Sequence, residues 1–209
     1  MNDCFHTFLL ENMAVWTRYE DMEQGGFYNI FATHQKNPLR FQHFVVDSHY
    51  LEMHSKARQN WGRKAVITER SLYTNVYVFI EKLYTDGRIG RLDYLLLKSK
   101  SLQYFHLILE EFSFLPFFVL LNDSPSAAFQ RIKKRGRKGE EKITLSYLED
   151  LQSRYLDLYG EGGEGAKMPF PNVKIDLAKY RDGPFGEIDT KAVIAEINSS
   201  LCAQYLKAE

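Results

Sequence analysis

Apolar positions along the chain fall into two spacings. Four short runs have the length and composition of strands: "FHTFLL" (5–10), "AVIT" (65–68), "FFVLLN" (117–122) and "VKIDL" (173–177). Longer segments with helical spacing lie between them. Residues 41–58 carry Phe41, Phe44, Val45, Tyr50 and Met53 on roughly one helical face. Residues 71–86 do the same with Leu72, Val76, Phe79, Ile80 and Leu83. The stretch 92–115 is aromatic and leucine-rich, reads as a buried helix and stops at Pro116. "SPSAAFQRIKKR" opens a further helix, with Ser124 as N-cap and Pro125 at the first helical position. "TLSYLEDLQSRYLDLY" is another, closed by the glycine-rich "GEGGEGAK" (160–167). Strands alternating with helices predict an α/β fold, a parallel sheet with covering helices.

Composition narrows the partners more than the fold. The 209 residues are the size of one domain, 1–209, with 44% hydrophobic and 26% charged residues. Lys plus Arg equals Asp plus Glu at 27 each, so no global field draws the chain to nucleic acid or to an anionic membrane. The two cysteines, Cys4 and Cys202, make neither a disulfide framework nor a metal knuckle, which fits a reducing compartment. No apolar run approaches the roughly 20 residues of a membrane helix. The first residues, "MNDCFHTFLLEN", lack a basic n-region. The expectation is a cytoplasmic protein, with mitochondria as the alternative.

Charge at two predicted strand ends is the first candidate chemistry. "FHTFLLEN" finishes in Glu11, and "AVIT" finishes in Glu69-Arg70. In parallel sheets the carboxyl ends of strands share one rim, where ligands bind. A carboxylate there can accept a hydroxyl proton, and an arginine can hold it or grip an anion. The plainer reading of "TERSLYT" is a helix start capped by Ser71 with solvated charges. A second candidate is "RIKKRGRKGEEK" (131–142). Arg131 and Arg135 share a helix face, Arg137 follows, and Gly136 and Gly139 let the chain turn before Glu140-Glu141. Guanidinium groups on such a segment suit neutralisation of charge in phosphoryl transfer. The two glutamates argue against a polyanion-binding patch. "GEGGEGAK" fails as a phosphate loop, because Ala166 precedes Lys167, no Ser or Thr follows, and "MPFP" cannot begin the required helix. The six histidines show no metal spacing.

In this order the stretches resemble the deoxynucleoside kinase family, the mitochondrial-type thymidine kinases and the deoxycytidine/deoxyguanosine kinases. "LLENMAVW" is similar to the family's strand-end L-E-P-V-x-x-W. "ERSLYTNVYVFIEKLYTDGRI" is similar to its long E-R-S motif, and "RIKKRGRKGEEKITLSYLEDLQ" to its arginine lid and following helix. The resemblance spans nearly the whole chain. It implies a P-loop kinase-like three-layer α/β/α sandwich, and ATP-dependent 5′-phosphorylation of a deoxynucleoside, thymidine or deoxycytidine, in nucleotide salvage. It also implies ATP and Mg2+ and a homodimer, with no nucleic acid and no membrane as partners.

Carried over by position, Glu11 is the general base for the 5′-hydroxyl, and Trp16 and Phe79 wall the base pocket. Arg70 holds the catalytic carboxylate and the 5′ end, with Glu69 near the metal and phosphates. Arg131, Arg135 and Arg137 clamp phosphate, and Glu140 binds the 3′-hydroxyl. Met53 and Asn75 help to select the base, Met53 leaning toward thymidine. The family's base-reading glutamine falls on Val46, with Gln42 one turn earlier as its candidate substitute, and its 3′-hydroxyl tyrosine falls on Gln35.

The chain departs from the family where the first central strand and its G-x-x-x-x-G-K-[ST] loop belong: that pattern occurs nowhere in the 209 residues. The expectation is therefore a domain missing its first strand, an N-terminally shortened kinase that is weak or inactive as it stands. The alternatives are a catalytically dead kinase-like scaffold or accessory subunit of a larger complex, and, ranked last, a basic polyanion-binding module.

Overall fold

The computed structural model describes residues 37–59, 67–136, 140–160, 168–181 and 186–205. The readings for the run 5–10, for Ala65 and Val66, and for Glu11, Trp16, Gln35 and Arg137 lie outside these residues. Contacts between residues divide the chain into two compact units, Met1–Phe114 and Leu115–Glu209.

The first unit is helical over its described residues. Helix α1 (Pro38–Gln59) starts with proline at its first position and with Asn37 Oδ1 accepting from the Arg40 amide at 3.0 Å. Ser71 caps the next helix through a capping box: its hydroxyl accepts from the Thr74 amide at 3.0 Å, and Thr74 Oγ1 accepts from the Ser71 amide at 3.1 Å. The helix that follows changes winding twice, as α2 (Leu72–Thr74), a π-helix (Asn75–Ile80) and α3 (Glu81–Thr85). Wider winding turns the apolar face away from the 3.6-residue period, so Val78 is fully buried and Phe79 is half-buried. Buried Ser101 of α4 (Arg91–Phe112) donates to the Leu72 carbonyl at 2.9 Å, just before the winding changes. Helix α4 ends ahead of Pro116 with Ser113 in the left-handed conformation, φ 52°.

Leu72, Val76, Val78, Ile80 and Leu97 are fully buried, and with Val46, Phe105 and Ile108 they form the apolar interior of this unit. Each such side chain contributes roughly 1.5–3 kcal/mol by leaving water. Helices α1 and α4 are tied by a Tyr50–Tyr104 stack at 4.1 Å, a Lys100–Asp47 ion pair at 2.6 Å and a His54–Glu111 bond at 3.1 Å. Ile67 and Thr68, expected as the end of a strand, belong to no ladder among the described residues.

The second unit carries the sheet. Strands β1 (Phe118–Asn122) and β2 (Asn172–Asp176) pair in parallel, with Phe118 opposite Asn172 and Asn122 opposite Asp176. A parallel pair needs a long crossover, here supplied by helices α5 (Pro125–Arg135) and α6 (Leu145–Tyr159). Ser124 caps α5 as expected, accepting from the Ala127 amide at 3.2 Å. A 3-10 turn (Leu177–Tyr180) follows β2, and helix α7 (Thr190–Tyr205) lies against it. Ile175, Leu177 and Val193 form the core, backed by Val119, Val173 and Ile197. The end of α7 is fastened by Gln204, which accepts from the Asn172 amide at 3.1 Å and donates to the Asn172 carbonyl at 2.9 Å, and by Tyr205, which donates to the Pro116 carbonyl at 2.6 Å. This helix-rich α/β architecture with a small parallel sheet is consistent with a P-loop kinase-like fold.

Candidate functional site

Within the first unit, the Glu69-Arg70 turn leads directly into the capped helix. Arg70 has φ 63°, a left-handed conformation that costs an L-residue roughly 1–2 kcal/mol. Thr68 Oγ1 donates to the Arg70 carbonyl at 3.0 Å, and His49 Nε2 donates to the Glu69 carbonyl at 3.3 Å. The Arg70 guanidinium lies over the Phe79 ring, 5.1 Å from its centroid. Burial pushes the Glu69 carboxyl above its ordinary pKa, with Glu52 adding to the rise and Arg70 opposing it. Burial pushes His49 down, against the carbonyl bond and Glu52. A raised carboxyl, a strained arginine and an aromatic face are thus brought together over eleven residues of chain. The capped helix start foreseen for this stretch is present; the shared strand-end rim is not seen, since Glu11 lies outside the described residues and Ile67-Thr68 join no ladder among them.

Two candidate base-reading residues share an unusual property. Gln42 and Asn75 are 5% and 3% exposed, and among the described residues Gln42 Oε1 and Asn75 Nδ2 are buried without a hydrogen-bond partner. Such groups cost about 1–3 kcal/mol each when left unpaired. One is an acceptor and the other a donor, the two functions needed to recognise an amide-like base edge. Asn75 opens the π-helix, a winding often found at functional sites. Val46 is fully buried and Met53 is half-buried.

Within the second unit the described arginines are paired. Asp123, at the end of β1, receives Arg181 Nη2 at 2.5 Å and Nη1 at 3.1 Å, Arg131 Nη1 at 2.5 Å and the Ser124 amide at 2.8 Å. Burial raises the Asp123 pKa, but the bonds from Arg181, Arg131 and Ser124 outweigh it and hold the carboxyl below its ordinary value. Gln152 of α6 donates to Asn122 Oδ1 and to the Asp123 carbonyl, each at 3.0 Å. The carboxylate therefore fastens Arg131 of α5 to the segment after β2. Arg135 and Glu140 form a two-pronged pair, Nη2 to Oε1 at 2.6 Å and Nε to Oε2 at 3.2 Å. Glu140 also lines a hollow of about 240 Å³ with Phe129, Ile132, Lys133, Gly136 and Ile143.

The structure thus brings Arg70 to Phe79 and Arg135 to Glu140. It adds His49, Asp123 and Arg181, which the sequence does not single out. His49 and Glu69 are 20 residues apart and Asp123 and Arg181 are 58 apart, so no local motif announces either contact. Among the described residues no group of three or more His, Cys, Asp or Glu side chains is placed to hold a metal ion, and no helix is long and apolar enough to cross a membrane.

Comparison with known proteins points the same way as these elements. The chain is 36% identical over 86 residues to "Thymidine kinase 2, mitochondrial" of Homo sapiens, covering 41% of this chain and 31% of that protein. It is 32% identical over 140 residues to "Deoxycytidine kinase 2" of Gallus gallus, covering 64% and 51%. It is also 29% identical over 136 residues to "NADH dehydrogenase [ubiquinone] 1 alpha subcomplex subunit 10, mitochondrial" of Rattus norvegicus, covering 62% and 35%. The matches span about a third to a half of the length of these relatives. The family model "Deoxynucleoside kinase" matches residues 3–203. With nearly the whole length matched, the chain belongs to the deoxynucleoside kinase family.

Proposed function

We propose that the protein binds a deoxynucleoside, thymidine or deoxycytidine, and transfers to its 5′-hydroxyl the γ-phosphoryl group of ATP, in nucleotide salvage. The observation that carries the reading is a buried acceptor, Gln42 Oε1, and a buried donor, Asn75 Nδ2, neither with a hydrogen-bond partner among the described residues. A pyrimidine edge offers a ring nitrogen and an exocyclic group as complements, so the bound base supplies the missing bonds. In this reading Met53, Trp16 and Phe79 serve the base and Glu140 and Gln35 serve the sugar, roles taken from their positions in the family pattern; Val46 is fully buried.

In the reaction the 5′-oxygen forms a new bond to phosphorus as the bond to the ADP leaving group breaks, and the hydroxyl proton passes to the Glu11 carboxylate. Arg70 holds that carboxylate and the 5′ end. Arg131, Arg135 and Arg137 offset the charge that develops on the transferred group. Glu69 is the carboxylate that would hold a Mg2+ ion, with waters and phosphate oxygens as most of its ligands, and the ion would neutralise phosphate charge. Turnover by these 209 residues is expected to be weak or absent, because no phosphate-loop pattern occurs among them. Exposed Leu92, Leu95 and Leu96 on one face of α4 support a homodimer, and the cytoplasm is the expected site, with mitochondria as the alternative.

The test is nucleoside-dependent phosphorylation by the purified chain. Turnover lost in Glu11→Gln supports the proposal; turnover unaffected by that change contradicts it. Likeness to a subunit named for NADH dehydrogenase favours one other reading, a kinase-like accessory subunit. That reading predicts stable association with a larger complex and no thermal shift with thymidine or deoxycytidine.

A further inference from the structure

The left-handed backbone of Arg70 persists only because its surroundings leave it no alternative. Thr68 and Ser71 act locally, through the Arg70 carbonyl and the capping box. His49 acts from another element, reaching from α1 to the Glu69 carbonyl at 3.3 Å. A carbonyl only accepts, so Nε2 carries the hydrogen. The Glu69 carbonyl and the Arg70 amide belong to one rigid peptide plane. Fixing the direction of that carbonyl fixes the plane, and rotation about the next bond is the φ of Arg70. The direction of the Arg70 side chain toward Phe79 follows from that angle.

We propose that His49 is the positioning residue of Arg70: by holding the Glu69 carbonyl it maintains the left-handed turn and aims the guanidinium at the reacting end of the substrate. The second half of the statement rests on the phosphoryl-transfer reading; the first half does not. No short motif contains the contact, because the donor lies on a helix remote in sequence.

The experiment compares Arg70→Gly with Arg70→Ala in the full chain, each made with wild-type His49, with His49→Leu and with His49→Gln, which keeps an N–H donor. Glycine is favoured over alanine only where φ is positive. In the wild-type His49 and His49→Gln backgrounds, the glycine variant is expected to have the higher urea midpoint. With His49→Leu the order is expected to reverse, as the turn relaxes to negative φ. The same order in all three backgrounds overturns the proposal. Kinetics supply the second readout. His49→Leu should lower kcat by roughly tenfold to a hundredfold while KM for ATP stays unchanged, and His49→Gln should restore most of it. Wild-type kcat in His49→Leu overturns the aiming role. A wild-type chain that neither turns over nor binds thymidine or deoxycytidine refutes the phosphoryl-transfer reading and with it the aiming role, while the unfolding comparison still decides whether His49 sets the turn.

Discussion

Two places in the chain lead from an apolar run into a serine-capped helix, and an acid precedes each serine. At Asn122-Asp123-Ser124 the carboxylate is folded back onto Arg181, Arg131 and the Ser124 amide, and its pKa falls below the ordinary range. At Thr68-Glu69-Arg70-Ser71 the carboxyl rises through burial, and the adjacent arginine takes a strained backbone. The same local grammar, an acid and then a capping serine, yields an ion-paired brace in one case and a carboxyl of raised pKa beside a strained arginine in the other. A single inserted residue, Arg70, separates them. A carboxylate satisfied by arginines stabilises the charged state and so holds the fold; Glu69, an exposed residue whose carboxyl is raised chiefly by desolvation, stands beside backbone strain of the kind that clusters at functional sites.

The largest expected effect sharpens this contrast at the brace. Asp123→Ala should destabilise the protein by roughly 1.5–3 kcal/mol, the net worth of hydrogen bonding between charged groups, in urea unfolding. Glu69→Ala should leave the unfolding midpoint nearly unchanged or raise it. If Glu69→Ala proves the more damaging, the two junctions have been assigned the wrong way round. The acid dependence follows from the sign of the shift. The stability owed to Asp123 is in place above its ordinary 3.8 and is lost as pH falls through its lowered value. Asp123→Asn should flatten that part of the stability–pH curve.

Smaller effects separate the two caps. Ser71 is buried and takes part in both halves of a capping box, whereas the Ser124 side chain makes one cap bond. Ser71→Ala should cost about 1–2 kcal/mol and Ser124→Ala nearer 0.5–1 kcal/mol, measured by thermal unfolding. The smallest effect belongs to Glu140→Gln, which removes the partner of a half-exposed arginine and should change stability by less than about 1 kcal/mol. The same change should raise affinity for tripolyphosphate by freeing Arg135; unchanged affinity would show that the pair does not restrain that arginine.

Much of this is legible from spacing alone. Strands β1 and β2 lie within a residue of the runs 117–122 and 173–177, and the helices over 38–59, 91–112, 125–135 and 145–159 match the apolar periods. Ser71 and Ser124 announce their caps because capping is a matter of three or four consecutive residues. Helix α7 is not legible in this way, since Asn198-Ser199-Ser200 interrupts its apolar pattern and, of its described side chains, only Val193 is buried. The π-helix is hidden because its apolar residues also fit a 3.6-residue period, until the Ser101–Leu72 bond and the burial of Val78 reveal the wider winding. At the candidate site, residue types with a chemical signature are visible: Glu69, Arg70, Arg135 and Glu140. Their supports, His49, Asp123 and Arg181, are not, because what makes them important is a contact made only after folding.

The proposal turns on Gln42 Oε1 and Asn75 Nδ2, without partners among the described residues, being reserved for a nucleobase, and calorimetric titration of thymidine and deoxycytidine into the wild type and Asn75→Leu tests it. The account predicts that Asn75→Leu unfolds at higher urea, because a buried orphan is removed, yet binds the preferred nucleoside at least roughly tenfold more weakly, about 1.4 kcal/mol. Higher stability with undiminished binding, or a wild type that binds neither nucleoside, would contradict it.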